Sequence, residues 1–392
     1  MIHLIHTADW QIGKPFGFIA DAEKRSVLRR ERIAAIERIG EVARSRNAAC
    51  VLVAGDVFDS NTVDDTTVSD ACSAIRNIGI PVLAIPGNHD HGGEGSIWNQ
   101  PYFRAQQEKL APNLRLLDKP EPVDIEGLRI LPCPLMRRQD TRDATAWIQD
   151  SETPLTSEDR PTVVLAHGTV AEFGSREEET FGDSAPNHIQ LDRLKAGAFD
   201  YIALGDWHGA KQVESNAWYA GTPEQDRFAK GSSNDPGHVL AVSLEKGQPP
   251  KVEKVSTSRI GWHTLDVRFD SDENLSPLTD PLAALIGTRS GRDLLQLKLS
   301  GNLALATGEA LEAELASLRG RLLELRLDHR VTVLPDQAEI DALAHDTANP
   351  LIARVATVLA RGADDDPSPA DESVRSAALR KLFTLAAATP KR

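Results

Sequence analysis

The feature that most constrains this chain is a series of short apolar runs that alternate with helical stretches over roughly its first 260 residues. Five runs rich in Val, Leu, Ile and Ala read HLIHTA, VLVAG, VLAIPG, VVLA and YIALG. Such runs predict strands that are buried on both faces of a sheet. Between the first two lies the segment 23–46, where apolar residues recur at helical spacing beneath a basic outer face. Strands that alternate with helices predict an α/β fold built from packed layers.

The pattern changes after Arg259, which predicts a second domain. Residues 261–340 read as a strand, a helix, a strand, a long amphipathic helix and a strand. The final segment, 341–392, contains further amphipathic helices around an acidic, proline-bearing linker at about 363–372. We therefore predict a main domain over 1–260, a small α+β domain over 261–340 and a C-terminal helical segment. A chain of 392 residues is too long for one ordinary domain, which agrees with this division.

Composition narrows the class of protein. The three cysteines, Cys50, Cys72 and Cys133, are widely spaced and form no CxxC pair, which predicts reduced thiols in a cytoplasmic protein. The chain begins with a strand-like run, and no run approaches the ~18 apolar residues of a membrane span, so we expect neither a secretory signal nor a membrane. The formal net charge of -14 argues against binding nucleic acid through a global positive field, although it leaves room for a local basic face.

Polar side chains that bind metals or move protons follow each of the five apolar runs. They are Asp9 and Gln11; Asp56 and Asp59; Asn88, His89 and Asp90; His167; and Asp206 and His208. Ligands of α/β sheets bind in the crevice beyond the carboxyl ends of the strands. A single Gly-Asp pair or a single His is more often a turn or a core residue, whereas five such clusters, each after an apolar run, indicate a shared site. We expect these side chains to converge at one edge of one sheet.

The side-chain types indicate a metal site for phosphoester chemistry. Carboxylate, amide and imidazole ligands without a thiolate favour Mn²⁺, Fe²⁺ or Mg²⁺ over structural zinc. Seven of these side chains are candidate ligands, namely Asp9, Gln11, Asp56, Asn88, His167, Asp206 and His208. Seven ligands are too many for one ion and suit two ions that share a carboxylate. Two ions ~3.5–4 Å apart form the usual clamp for displacement at phosphorus.

The segments HTADWQIGKPF, VLVAGDVFDS, IPVLAIPGNHD and YIALGDWHG, followed by WYAGTPEQDRF, resemble the calcineurin-like metallophosphoesterases. Within that superfamily the order and spacing are similar to those of the SbcD-type DNA-repair exonucleases, over roughly residues 1–260. The resemblance implies a four-layer αββα sandwich, with a small C-terminal α+β capping domain at 261–340. It also implies hydrolysis of phosphodiester bonds with two divalent ions, with Mn²⁺ as the expected metal and Mg²⁺ or Fe²⁺ as alternatives.

Carried over position by position, the resemblance also implies residue roles. Asp56 bridges the two ions, and His89 protonates the leaving oxygen while Asp59 orients it through its other ring nitrogen. The first ion is held by Asp9, Gln11, Asp56 and His208, and the second by Asp56, Asn88, His167 and Asp206. The family usually has His in place of Gln11 and of Asp206. A Gln ligand is weak and neutral and Asp206 adds a negative charge, so we expect harder ions and weaker binding at the first position.

Three functions are compatible with these residues. The first is a DNA nuclease in double-strand-break repair, the nuclease subunit of an SbcCD-like complex, with DNA contacts at Lys14, Arg137 and Arg138. Its C-terminal helices would dock on an SbcC-like coiled-coil ATPase, and homodimerisation stays open. The second is a phosphodiesterase or phosphatase for small nucleotides, which the negative net charge suits better. The third is a metal-impaired scaffold subunit, suggested by Gln11 and Asp206.

Overall fold

The computed structural model describes residues 1–151, 155–170, 186–194, 198–228, 234–269, 274–333, 337–347 and 349–361, with residues 374–375, 377–379, 381–382 and 385–386 near the C-terminus. The chain divides into two compact units, Met1–Ile260 and Gly261–Arg392. They are called the N-terminal and the C-terminal unit below.

The N-terminal unit is a mixed α/β structure. Its strands are β1 (Ile2–Thr7), β2 (Cys50–Val53), β3 (Val82–Ala84), β4 (Leu114–Leu116), β5 (Val123–Ile125), β6 (Leu128–Cys133), β7 (Thr162–His167), β8 (Thr169–Val170), β9 (His188–Ile189), β10 (Tyr201–Gly205), β11 (Lys211–Glu214), β12 (Ala217–Tyr219), β13 (His238–Leu244) and β14 (Lys251–Ser256). Its helices are α1 (Ala22–Ser45), α2 (Asp65–Ile78), α3 (Pro101–Leu110) and α4 (Ala146–Gln149).

Two six-stranded sheets form the centre of this unit. The first has the order β14-β13-β1-β2-β3-β4, and the second β11-β12-β10-β7-β6-β5. Strands β1 to β4 of the first sheet pair in parallel, as do β6, β7, β10 and β12 of the second. The remaining strands of the two sheets, β13, β14, β5 and β11, pair antiparallel with their neighbours. Parallel neighbours place their carboxyl ends at the same edge, which is where the polar clusters follow.

The core has three apolar layers. One layer lies between the two sheets and includes Leu4, Leu52, Val163 and Tyr201. A second fills the space between the first sheet and helices α1, α2 and α3, and a third covers the outer face of the second sheet, where α4 packs. Successive strand residues point to opposite faces, so a near-continuous apolar run can serve two layers at once. The expected αββα arrangement of two sheets between outer elements is confirmed.

Helix boundaries follow local capping chemistry. The Asp21 side chain accepts hydrogen bonds from the amides of Glu23 and Lys24 at the start of α1, and Asp64 accepts from the amide of Thr67 in α2. Helix α2 ends at Gly79, whose left-handed φ of 79° glycine tolerates without a Cβ penalty. The expected basic outer face of α1 needs one correction, because Arg32 is buried and points inward.

A buried imidazole links the two sheets. His6 Nδ1 lies 2.9 Å from Tyr201 Oη, and His6 Nε2 lies 3.2 Å from the main-chain oxygen of Leu204. The ring is therefore neutral, with Nε2–H donating to the carbonyl and Nδ1 accepting from the phenol. Burial lowers the pKa of His6 from 6.5 to about 3.

The C-terminal unit follows the predicted β-α-β-α-β succession. Its strands β15 (Gly261–Phe269), β16 (Asp293–Leu303) and β17 (Glu324–Val333) are all parallel, and the order in the sheet is β15-β16-β17. The helices are α5 (Ser276–Leu285), α6 (Leu305–Arg321), α7 (Gln337–Ala344) and α8 (Pro350–Arg361). The predicted acidic linker at 363–372 lies outside the described residues. Among the described helices, none combines the length and apolarity that a membrane crossing requires.

Candidate metal centre

The polar clusters lie at the carboxyl ends of strands from both sheets. Asp9, Asp56 and Asn88 follow β1, β2 and β3 of the first sheet, whereas His167 ends β7 and Asp206 follows β10 of the second. The expectation of one edge of one sheet is therefore wrong. Buried runs show that a strand has two covered faces, but they do not show which sheet it joins. The site lies instead where the ends of two packed sheets face each other.

The centre of the site is a buried acidic cluster. One ligand atom each from Asp9, Asp56 and His167 lies within 4.8 Å of the other two, and all three residues are buried. Asp206 adjoins them, since its carboxylate lies 3.8 Å from His167 Nε2 and its amide donates to the Asp9 carboxylate at 3.2 Å. Thr169 Oγ1 donates to Asp206 Oδ2 at 2.7 Å and holds this carboxylate in place. So many carboxylates in low dielectric require positive charge nearby.

The backbone is strained where the candidate ligands lie. Positive φ angles occur at Asp9 (53°), Gln11 (42°), Asp56 (55°) and Asp206 (103°), which are four of the eight non-glycine residues with positive φ among those described. Each such conformation costs about 1–3 kcal/mol and persists only where the surroundings impose it. The strained positions therefore coincide with the candidate metal site.

Two glycines leave room for the ligands. A Cβ on Gly87 would lie 2.2 Å from Asp56 Oδ1, and one on Gly55 would lie 2.3 Å from His167 Nδ1. Both distances are far shorter than any van der Waals contact. The loops after β2 and β3 can therefore approach the acidic cluster only because no side chain is present at these positions.

Two polar atoms in the site have no hydrogen-bond partner among the described residues. His167 Nδ1–H donates to the main-chain oxygen of Ala54 at 2.7 Å, which leaves a lone pair on Nε2. That Nε2 and Asn88 Oδ1 are both buried and accept no hydrogen bond. Buried polar atoms nearly always have partners. An imidazole nitrogen and an amide oxygen left unpaired beside carboxylates are what a divalent cation needs, so these residues fit a metal ion.

The electrostatics of the cluster lead to the same conclusion. Burial and the charges of Asp56 and Asp206 together raise the pKa of Asp9 to about 6, against the opposing effect of His208 and His167. Burial alone would lower the pKa of His167, but Asp56, Asp9 and Asp206 raise it to about 9. The cluster therefore holds protons that a divalent cation would displace on binding.

The comparisons with known proteins can now be set beside this geometry. A family model described as calcineurin-like phosphoesterase matches residues 2–210 of the 392. The chain belongs to the calcineurin-like phosphoesterase family. Membership in this family implies divalent metal ions.

One curated relative is the DNA double-strand break repair protein Mre11 of Aeropyrum pernix. It is 26% identical over 281 residues, which cover 68% of this chain and 64% of that protein. This chain thus spans less than two thirds of the length of that relative. Among solved structures, it is similar to TT1561 of Thermus thermophilus, with a TM-score of 0.39 and 11% identity, and to a dimetal phosphatase from Danio rerio, with a TM-score of 0.36 and 13% identity. Each similarity covers 65% of this chain and 99% of the other.

His89 lies beside the acidic cluster. Its main-chain amide donates to Asp56 Oδ1 at 2.9 Å, and its ring Nδ1 lies 2.8 Å from the main-chain oxygen of Asp59. The ring is thus oriented by the carbonyl of Asp59. The carboxylate of Asp59 is turned toward Lys14, whose Nζ lies 3.8 Å away.

Asp90 connects the two loops that carry Asp56 and Asn88. Its carboxylate accepts from the amide of Gly87 at 2.7 Å and from the amide of Phe58 at 3.1 Å. Burial, together with the charge of Asp56, raises the pKa of Asp90 to about 7. This carboxylate is buried among main-chain donors, so its role is to hold the loops together.

Gln11 and His208, the other two predicted ligands, lie together in a hydrogen-bonded group. We call Lys14, Gln11, His208 and Asp226 the His208 pole, and Asp56, Asn88, His167 and Asp206 the His167 pole. Lys14 Nζ lies 2.5 Å from Gln11 Oε1 and 2.7 Å from Asp226 Oδ2. Gln11 Nε2 lies 3.3 Å from His208 Nε2, and His208 Nδ1 lies 3.0 Å from Asp226 Oδ1.

Sequence reasoning missed Asp226. Burial would raise the pKa of this carboxyl, but His208, Lys14 and Arg32 outweigh that effect and hold it well below its usual range. The signal was present, since TPEQDRF places three charged residues directly after an apolar strand. Nothing in that segment shows, however, which residue turns inward.

Arg32 is the second residue that sequence reasoning missed. Its guanidinium donates to the main-chain oxygens of Trp10, Asp9 and Glu224 at 2.7, 3.0 and 2.9 Å. One side chain thus joins the loop after β1 to the loop after β12. Burial lowers the pKa of Arg32, although Asp226 and Glu224 oppose this shift. The spacing of α1 gives no hint that this arginine differs from its exposed neighbours.

The three predicted DNA contacts lie in different settings. Arg137 and Arg138 are exposed in the loop after β6. Lys14 is half-buried, and its ammonium is already paired with Asp226 and Gln11. Arg227 is a further cation at this edge, because its half-exposed guanidinium lies beside the His208 ring, with Nη2 3.2 Å from Nε2.

Proposed function

We propose that this phosphoesterase is a metal-dependent DNA nuclease in double-strand-break repair, the nuclease subunit of an SbcCD-like complex. The observation that carries the hydrolytic part is the pair of unpartnered buried atoms, Asn88 Oδ1 and His167 Nε2, beside the Asp9–Asp56 cluster. The choice of DNA is supported by the similarity to a DNA double-strand break repair protein.

The residues of the site would divide between two metal positions that share Asp56. The first position would use Asp9, Gln11, Asp56 and His208, and the second Asp56, Asn88, His167 and Asp206. When bound, divalent ions offset the charge of the phosphate and lower the pKa of water. Oxygen-rich ligands with two imidazoles suit Mn²⁺, with Mg²⁺ or Fe²⁺ as alternatives.

His89 is the proposed general acid. Its Nδ1 is engaged by the main-chain oxygen of Asp59, so Nε2 is the nitrogen that can carry a proton to the leaving oxygen. The hydrogen bond from its amide to Asp56 ties the ring to the acidic cluster. A proton donor held at this point contributes typically ~10²–10⁴-fold to the rate.

The proposal extends to substrate and partners. DNA would cross the site near Arg137 and Arg138, with Lys14 as a further cation, and the C-terminal unit would act as the capping domain. An SbcC-like ATPase would dock on the C-terminal helices, where Leu351 and Val358 of α8 are 77% and 66% exposed. A cytoplasmic location and a homodimer belong to the same proposal.

A second candidate is a phosphodiesterase for small nucleotides. The observation that favours it is the net charge of -14, which opposes a long polyanion more than a short one. A metal-impaired scaffold is the third, and Gln11 and Asp206 are its motivation.

One experiment separates these functions. The purified full chain is assayed with Mn²⁺ on labelled single- and double-stranded DNA, on cyclic and linear dinucleotides, and on bis-p-nitrophenyl phosphate, with His89→Asn as the matched inactive control. We expect DNA cleavage that disappears in the control. Cleavage of small esters alone would refute the nuclease proposal, and no turnover of any substrate would favour the scaffold.

A further inference from the structure

We infer that the His208 pole is closed by its own side chains, so that the chain holds one divalent ion tightly, at the His167 pole. Lys14 takes up the Gln11 oxygen that a second ion would need. This inference rests on the metal chemistry of the proposed function and is independent of whether DNA is the substrate.

The orientation of the Gln11 amide follows from its partner. A lysine ammonium carries three hydrogens and no lone pair, so the Gln11 atom 2.5 Å from Lys14 Nζ must be the oxygen. The amide nitrogen then faces His208 Nε2 at 3.3 Å. Gln11, which stands where the family usually has a histidine, therefore presents N–H groups to His208. It offers no lone pair to a metal ion on that side.

The tautomer of His208 completes the same pattern. His208 Nδ1 lies 3.0 Å from the carboxylate of Asp226 and donates its proton there. Nε2 then carries the lone pair, and it accepts from the Gln11 amide. The second oxygen of Asp226 accepts from Lys14 at 2.7 Å. Four side chains thus form a closed ring of donors and acceptors.

The two poles differ in what they leave unpaired. In the His167 pole, Asn88 Oδ1 and His167 Nε2 are buried without a partner. In the described part of the chain, no side-chain atom of the His208 pole is both buried and unpartnered. A cation that binds at the His167 pole satisfies two unpartnered lone pairs, whereas a cation that binds at the His208 pole must first break existing hydrogen bonds.

Charge also distinguishes the poles. The guanidinium of Arg227 lies beside the ring of His208, with Nη2 2.9 Å from Nδ1, and the ammonium of Lys14 contacts Gln11 and Asp226, the two hydrogen-bond partners of that ring. A divalent ion at this pole would meet the repulsion of both positive charges. Among the ion pairs of the described residues, the carboxylates of the His167 pole contact no lysine or arginine, and their close partner is the imidazole of His167, at 3.6 Å from Asp56 and 3.8 Å from Asp206.

Manganese binding to the full-length chain tests this inference without any substrate. The stoichiometry is measured by isothermal titration with Mn²⁺ alone, and electron paramagnetic resonance distinguishes an isolated ion from an exchange-coupled pair. We expect the wild-type chain to bind one ion tightly with the spectrum of an isolated ion. Lys14→Met should tighten the binding of an additional ion at the His208 pole by at least about tenfold, since outer-shell changes typically alter metal affinity by ~10–100-fold.

The matched control is Lys119→Met, which removes a charge from an exposed lysine in the loop after β4 and should leave binding unchanged. Two ions of similar affinity and a coupled spectrum in the wild-type chain would overturn the inference, whatever the variants do. The inference would also be overturned if a folded Lys14→Met chain had an unchanged affinity for an ion at the His208 pole, or if the wild-type chain bound no ion tightly. A chain that binds one ion but cleaves no DNA would refute the nuclease proposal and leave this inference intact.

Discussion

Replacing Asp90 with alanine should destabilise the N-terminal unit and loosen the metal centre together. The carboxylate accepts from two buried amides, those of Gly87 and Phe58, at 2.7 and 3.1 Å. Both amides lose their acceptor in Asp90→Ala, at a position that is fully buried. Each orphaned donor costs about 1–3 kcal/mol, so the free energy of unfolding should fall by roughly 2–6 kcal/mol.

The matched control is Asp64→Ala at the start of α2. Asp64 is an exposed cap, and its main-chain partner is the Thr67 amide at 2.9 Å, which water can solvate in the variant. Loss of such a cap costs typically ~1 kcal/mol. Comparing the stability losses of the two Asp→Ala variants thus shows how much more a buried acceptor contributes than an exposed one.

Urea denaturation in the presence of EDTA measures the fold without any bound ion. The transition of Asp90→Ala should shift well below that of Asp64→Ala, and Mn²⁺ affinity should fall by ~10–100-fold in the first variant only. Equal transitions in the two variants would refute the assigned role of Asp90.

Three further predictions follow from the site and the core. His89→Asn should reduce turnover by ~10²–10⁴-fold while metal content stays constant, and a loss of metal would show that His89 is a ligand. Gln11→His should leave activity equal or raise it, and it should tighten the binding of an ion at the His208 pole, because an imidazole offers Lys14 no amide oxygen. Complete inactivation would contradict this prediction. The folded-state pKa of His6, about 3, lies below its ordinary 6.5, so the unfolded chain binds the proton first. Stability should therefore decline as pH falls from 6.5 toward 3, by roughly 4–5 kcal/mol at most, and a His6→Gln chain that keeps the same slope in urea titrations would refute this account.

The sequence was informative where local chemistry decides the structure. Near-continuous apolar runs predicted the central strands, and the side chains that follow them indicated the metal site. The GNHD stretch shows why this works, since a strand end, a glycine and the candidate ligand Asn88 lie within five residues of one another in the chain. Helix boundaries such as the Asp64 cap and Gly79 are equally local.

The errors concern partners that are distant along the chain. Assignment of all five strands to one sheet was wrong because burial on both faces is the same in either sheet. Arg32 bonds to the main-chain oxygen of Glu224, 192 positions away, and His208 bonds to Asp226, 18 positions away beyond β11 and β12, so neither pairing has a local signature. Helix α3 was not recognised because Phe103 is the one buried residue of its ten.

The most direct test of the account is anomalous diffraction from a crystal of the full chain equilibrated with Mn²⁺. The account predicts a strong peak bounded by Asp56, Asn88 Oδ1 and His167 Nε2, and a weaker peak or none beside Gln11 and His208. A peak elsewhere, or none between Asn88 and His167, would contradict the assignment of these side chains to a metal centre.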